Sequence, residues 1–218
     1  MDMNIEAVFQ GLVHLGATWV LWVLVGLSVL AFAVILERAA FFVGTRARPS
    51  NLQLLVTRAL ERNEVRSVCR QLDESPSVEA RIVAASIGSS CPAEAEERIS
   101  AEAQVQRLRA ERYLAYLGTL GNNAPFVGLL GTVVGIIGAF AELDAAGGQL
   151  TTGLMAEIGE ALVATAVGLL VALPAVATFN LFQRIIAVRI AQGDAIARQF
   201  VAHLHSLASD EARVQGVD

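Results

Sequence analysis

Residues 160–184 read Glu-Ala-Leu-Val-Ala-Thr-Ala-Val-Gly-Leu-Leu-Val-Ala-Leu-Pro-Ala-Val-Ala-Thr-Phe-Asn-Leu-Phe-Gln-Arg. Between Glu160 and Arg184 lie 23 residues without a charge. An α-helix rises about 1.5 Å per residue, so a run of this length crosses a hydrocarbon layer of about 30 Å. A buried core helix of that length would need a soluble domain to surround it. The rest of the chain supplies none: of 218 residues, 55% are hydrophobic and 17% are charged. Ordinary soluble domains are about 45–50% apolar and about 25% charged. The stretch predicts a membrane-spanning helix, placed at 158–182.

Two further gaps in the charge pattern lie upstream. Ala7–Leu36 is flanked by Glu6 and Glu37, and its apolar heart is 17–36. Trp19 and Trp22 near its start fit an interfacial anchor. Asp2 and Glu6 precede it, which is the wrong sign for a cleaved signal peptide. Tyr113–Ala141 is flanked by Arg112 and Glu142 and is most apolar over Ala124–Phe140, which predicts a span at 117–140. The fold class expected is an all-α membrane protein. It has three transmembrane helices, with long helices extending into a cytoplasmic helical domain.

Arginine placement orients these spans. All sixteen basic residues are Arg, and none lies in 1–36 or 141–160. By the positive-inside rule, 37–116 and 183–218 are cytoplasmic. The N-terminal 1–16 and the loop 141–157 are then outside. Within 37–116, apolar residues at 52, 55, 56, 59 and 60 form a helical stripe. Glu94–Tyr116 holds no Pro or Gly, which predicts a helix running straight into the second span. The segment 183–218 continues the third helix and ends in a tail, fraying from Asp210.

Absences exclude several chemistries. Without Lys there is no G-x-x-x-x-G-K loop and no Schiff-base lysine. A net charge of −5 argues against nucleic acid as a partner. No Ser, Cys or His occurs from Leu117 to Phe182, so an intramembrane protease lacks its nucleophile and base. Cys69, Cys91, His14, His203 and His205 do not have zinc-site spacing. The reading is not an enzyme, with no cofactor and no metal.

What remains is small residues and carboxylates. Gly128, Gly131, Gly135 and Gly138 share one helical face of the second span. Ala161, Ala164, Gly168 and Ala172 offer a matching face in the third. Such faces let backbones approach closely in lipid, either within one chain or between copies. Pro125 and Pro174 are candidate kinks. Glu160 has two readings on physics alone. A carboxylate at mid-membrane costs on the order of 2.5–3.5 kcal/mol, so it marks a polar pathway. Alternatively, Glu157 and Glu160 occupy a first helical turn, where the macrodipole favours them. Thr132 and Thr165 either bond back to their own helices or add hydroxyls to a pathway.

Residues 124–140, Ala-Pro-Phe-Val-Gly-Leu-Leu-Gly-Thr-Val-Val-Gly-Ile-Ile-Gly-Ala-Phe, resemble the second-span signature of the MotA/TolQ/ExbB proton channel family. Residues 158–175 with Phe179-Asn180 resemble its third-span signature, and Glu37-Arg38 is a weaker likeness. The spans and their order match the TolQ/ExbB branch; the MotA branch usually has four spans. The resemblance implies that Glu160 is the membrane carboxylate of proton passage and that Thr132 and Thr165 line the pore. It implies a homo-oligomeric ring, a pentamer, in the bacterial inner membrane. That ring surrounds two copies of a single-span TolR/ExbD-type partner and contacts membrane lipids. Proton flow then drives work at the cell envelope: outer-membrane energisation, Tol-type maintenance or gliding motility. The family pattern Pro-Gly-Ile-Ala-Glu is replaced by Ala156-Glu157-Ile158-Gly159-Glu160. Glu157 is thus either a surface carboxylate or a proton-collecting residue at the outer mouth. The competing class is a non-conducting oligomeric membrane scaffold.

Overall fold

The computed structural model describes residues 16–45, 49–62, 68, 71–72, 74–87, 89 and 91–214. Cys69, His14 and most of the expected outer segment 1–16 lie outside them. The chain is all-α. Among the described residues the long helical runs are α1 (Thr18–Gly44), α2 (Pro49–Arg62), α3 (Val78–Ser86), α4 (Pro92–Glu111), α5 (Leu114–Ala145) and α6 (Thr152–Val214). Three are long and apolar enough to cross a membrane: α1, α5 and the Thr152–Leu207 part of α6.

Helix ends follow local chemistry. Ser77 caps α3 by accepting the amide of Ala80 at 3.1 Å. Pro92 opens α4, where a missing N–H costs nothing. Thr151 accepts the amide of Leu154 at 3.0 Å at the start of α6. Gly147 and Gly148 turn the chain with φ of 62° and 82°, so only 146–151 separates α5 from α6. Pro125 and Pro174 sit inside helices that continue through them.

Two sequence expectations are corrected. The helix over 94–116 does not run straight into the second span. It stops at Glu111, and Tyr113 takes a left-handed φ of 64° before α5 begins. The carbonyls freed there are used: Arg38 Nη1 donates to those of Arg109 and Ala110 at 3.2 and 3.4 Å. The tail also remains helical to Val214, beyond the fraying expected at Asp210.

The chain divides into two compact units. The first joins the chain up to Leu36 with Tyr113–Asn180; the second joins Glu37–Arg112 with Leu181–Asp218. In the first unit, bulky apolar side chains face outward, including Trp22, Phe32, Phe126, Phe140, Leu170 and Leu173, while Gly128, Gly131, Ala161 and Ala164 are buried. A water-soluble unit has the opposite arrangement, and this one suits lipid.

The second unit has an ordinary apolar core. Val56, Ala59, Leu72, Val78, Ile82, Val83, Ala95, Ile99, Ile196, Ala197 and Val201 cluster there. The stripe predicted at 52–60 forms α2 and packs on this core. Two arginines tie its helix ends. Arg38 is buried and bonds the end of α4 as described. Arg189 on α6 donates to the Phe42 carbonyl at 2.8 Å and to the Thr45 hydroxyl at 3.0 Å. It also lies 3.9 Å from the Glu79 carboxylate. Glu79 is 2% exposed, and its Oε2 has no hydrogen-bond partner. Burial pushes its carboxyl pKa up, against the opposing pull of Arg189.

Candidate functional site

The glycines of α5 meet α6 at backbone distance. A Cβ on Gly128 would lie 2.8 Å from the Ala164 carbonyl oxygen and 3.1 Å from Thr165 Cα. One on Gly168 would lie 2.8 Å from the Ala124 carbonyl oxygen. Only residues without side chains allow this approach. A Cβ on Gly131 would meet Ala164 Cβ at 2.7 Å and Val20 Cγ1 at 3.1 Å. A Cβ on Gly135 would meet Ala161 Cβ at 2.6 Å and Ala17 Cβ at 3.5 Å. These faces are therefore filled within the unit, by α6 and by the residues around the start of α1. Ala172 is buried as well. Gly121 extends the same face one heptad earlier, against Val176. Its spacing of seven from Gly128 was the signal for it.

Gly138 has a different neighbour. A Cβ there would lie 2.9 Å from Glu157 Oε2, so this glycine makes room for a carboxylate. That oxygen is buried and has no hydrogen-bond partner. Glu142, which the sequence did not single out, accepts the Thr151 hydroxyl at 3.0 Å at the same end of the unit.

Thr132 and Thr165 come together. Their hydroxyls touch across the α5–α6 contact. Thr132 Oγ1 is 3.1 Å from the Ala161 carbonyl oxygen, and Thr165 Oγ1 is 3.2 Å from that of Gly128. Each hydroxyl carries one proton, so two of these three contacts are hydrogen bonds at a time, and each of the three is a bridge from one helix to the other.

Glu160 stands one residue from that bridge. Helix α6 begins at Thr152, which puts Glu157 and Glu160 beyond its first turn. The macrodipole effect falls off within that turn, so it does not account for Glu160. The Glu160 carboxylate accepts a hydrogen bond from the Thr18 hydroxyl of α1. Thr18 carried no periodic or motif signal and was missed. A spacing of three places Glu157 and Glu160 on one helical face. Along α6 lie, in order, the Glu157 and Glu160 carboxylates, the Ala161 carbonyl and the Thr165 hydroxyl, which meets Thr132 of α5. Carboxylates take up and release protons, and hydroxyls and carbonyls order the hydrogen bonds between them. Among the described residues, no three His, Cys, Asp or Glu side chains group as a metal site.

Residues 74–194, more than half of the chain, match the model of the MotA/TolQ/ExbB proton channel family. The chain is 42% identical over 102 residues to the biopolymer transport protein ExbB of Xanthomonas campestris pv. campestris, covering 47% of this chain and 39% of that one. It is 44% identical over 82 residues to ExbB of Neisseria gonorrhoeae, covering 38% and 37%. To the Tol-Pal system protein TolQ of Pseudomonas aeruginosa it is 36% identical over 108 residues, covering 50% and 46%. The chain thus spans less than half the length of each of these relatives.

Proposed function

Because the chain belongs to the MotA/TolQ/ExbB proton channel family, in its TolQ/ExbB-like branch, we propose that it is the channel subunit of a motor driven by the proton-motive force. The observation that carries this reading is Glu160. It is an acidic group two turns into α6, hydrogen-bonded from a second helix and one residue from a hydroxyl bridge. In this reading Glu160 carries the proton, and Thr132 and Thr165 continue the path. The arginine-bearing segments 37–116 and 183–218 lie in the cytoplasm, and the turn between α5 and α6 faces the periplasm. Copies of the chain form a pentameric ring in the inner membrane around two copies of a TolR/ExbD-type partner. The glycine faces are filled within each chain. Contacts between copies then fall to the outward bulky residues, and the smooth faces give no support to a bare scaffold.

The test is proton flux in vesicles carrying the complex. Glu160→Gln abolishes potential-driven uptake while leaving the amount of assembled protein unchanged. Wild-type flux in that variant would end the proton reading. Co-purification with a mass measurement of the intact complex counts the copies of chain and partner.

Glu157 is the proton-collecting group at the outer mouth. Support comes from its buried, unpartnered Oε2 over Gly138. Glu157→Gln slows uptake when outside protons are scarce and has little effect when they are abundant. If it is silent at every pH, Glu157 is a structural carboxylate.

A further inference from the structure

Gly135 is a shared seat. Its missing side chain leaves room for Ala161 Cβ from α6 and for Ala17 Cβ from the residue preceding α1. Ala17 and Ala161 are both buried, at 3% and 0% exposed. The next residue after Ala17 is Thr18, and the residue before Ala161 is Glu160. These two side chains are joined by the hydrogen bond from the Thr18 hydroxyl to Glu160 Oε1. Val20, fully buried against Gly131, fixes the start of α1 a second time.

We propose that Thr18 is a positioning residue for Glu160, held in register by the contact that both helices make on Gly135. The inference rests on the reading that Glu160 exchanges protons. A hydroxyl is both donor and acceptor. It donates to the carboxylate, and when Glu160 is protonated it donates to the carbonyl oxygen of the acid. Thr18 therefore partners Glu160 in both protonation states. The glutamate side chain has several rotatable bonds, and a fixed partner keeps its head group in one place through the cycle. Three helices converge here: α1 supplies the hydroxyl, α5 the seat and α6 the carboxylate.

Infrared difference spectroscopy on the full-length protein in lipid bilayers, between acid and alkaline buffer, tests this. The carbonyl band of protonated Glu160 is identified by its loss in Glu160→Gln. A hydrogen bond to that carbonyl lowers its frequency. Thr18→Val keeps the side-chain shape without the hydroxyl, and it moves the band to higher frequency. Thr18→Ser restores the hydroxyl and keeps the wild-type frequency. Gly135→Ala moves the band upward with Thr18 intact, because the added methyl would lie 2.6 Å from Ala161 Cβ and displaces α6, with Glu160, from the start of α1. Proton flux falls severalfold in Thr18→Val.

If a Glu160 band exists and stays put in Thr18→Val or in Gly135→Ala, the proposal is overturned and the function of Glu160 is untouched. If Glu160→Gln removes no band, Glu160 does not protonate, and both readings fall together.

Discussion

The two units of this chain are built from opposite materials. In the first, helices touch through residues that have almost no side chain, and the bulky residues point outward. In the second, bulky residues point inward and two arginines tie down the carbonyls at helix ends. Water drives apolar groups together in the second. Lipid offers no such drive in the first, because hydrocarbon tails are as apolar as leucine. There the attraction comes from close backbone contact and from hydrogen bonds such as the Thr132–Thr165 bridge. Defects should therefore act differently: loss of a charge partner breaks the second unit, and gain of a methyl group breaks the first.

The largest effect is expected at Arg189. Removing one partner of a buried ion pair costs about 3–5 kcal/mol, because the other charge is left uncompensated. Arg189→Met also strips donors from Phe42 and Thr45. The effect depends on pH in a defined sense. Glu79 has its pKa raised above the ordinary value of 4.5 by burial. Its contribution to stability is therefore fully present below that value and lost as pH rises through the folded-state pKa. Arg189→Met lies nearest the wild type in acid and melts earliest at neutral pH. Glu79→Gln flattens the wild-type dependence, and Glu79→Gln in the Arg189→Met background restores much of the loss. Thermal melts of the purified protein across pH read all three. Equal losses for Arg189→Met at acid and neutral pH would show that the burial of Glu79 is irrelevant.

Next in size is a methyl group at Gly128. A Cβ 2.8 Å from a backbone oxygen leaves no flexible group to yield. Overpacking of this kind costs about 1–3 kcal/mol. Gly26 and Gly159 also lie in membrane helices, but nothing is within 4 Å of a Cβ at either. Alanine there is neutral or stabilising, since glycine in a helix is about 1 kcal/mol worse. Thermal melts of Gly128→Ala, Gly26→Ala and Gly159→Ala in the same detergent check the contrast. Similar melting of all three variants would mean that close approach does not hold the first unit.

The same contrast decides how much was legible in the sequence. In the first unit the signals were compositional: charge gaps, a glycine period and a helix-length apolar run. The spans and the small-residue faces could be read from them; Glu160 stood out at the edge of a gap, but composition left its role open between a polar pathway and a first helical turn. Thr18 could not, because its role depends on which helices meet at Gly135, and one hydroxyl at a span start has no period. In the second unit the stripe over 52–60 was readable, since it is amphipathic. Glu79 and Arg189 were not. A charge among many charges shows its burial only after the helices pack. Glu142 was hidden for the same reason: it marked the end of a gap, and only the fold brings it to Thr151.

The smallest effect concerns the border between the units, where the sequence predicted an unbroken helix. No Gly or Pro signals the break, yet Tyr113 adopts a φ of 64°. A residue with a Cβ pays about 1–2 kcal/mol for the left-handed conformation, which glycine adopts freely. In a helix interior the preference is reversed, and alanine is better than glycine by about 1 kcal/mol. Comparing Tyr113→Gly with Tyr113→Ala cancels the lost aromatic contacts and isolates the backbone term. A glycine variant more stable than the alanine variant by about 1 kcal/mol means that the chain truly turns between α4 and α5. The reverse order would mean that α4 runs on into α5, that the carbonyls of Arg109 and Ala110 are taken up within one helix, and that Arg38 is left without its role there.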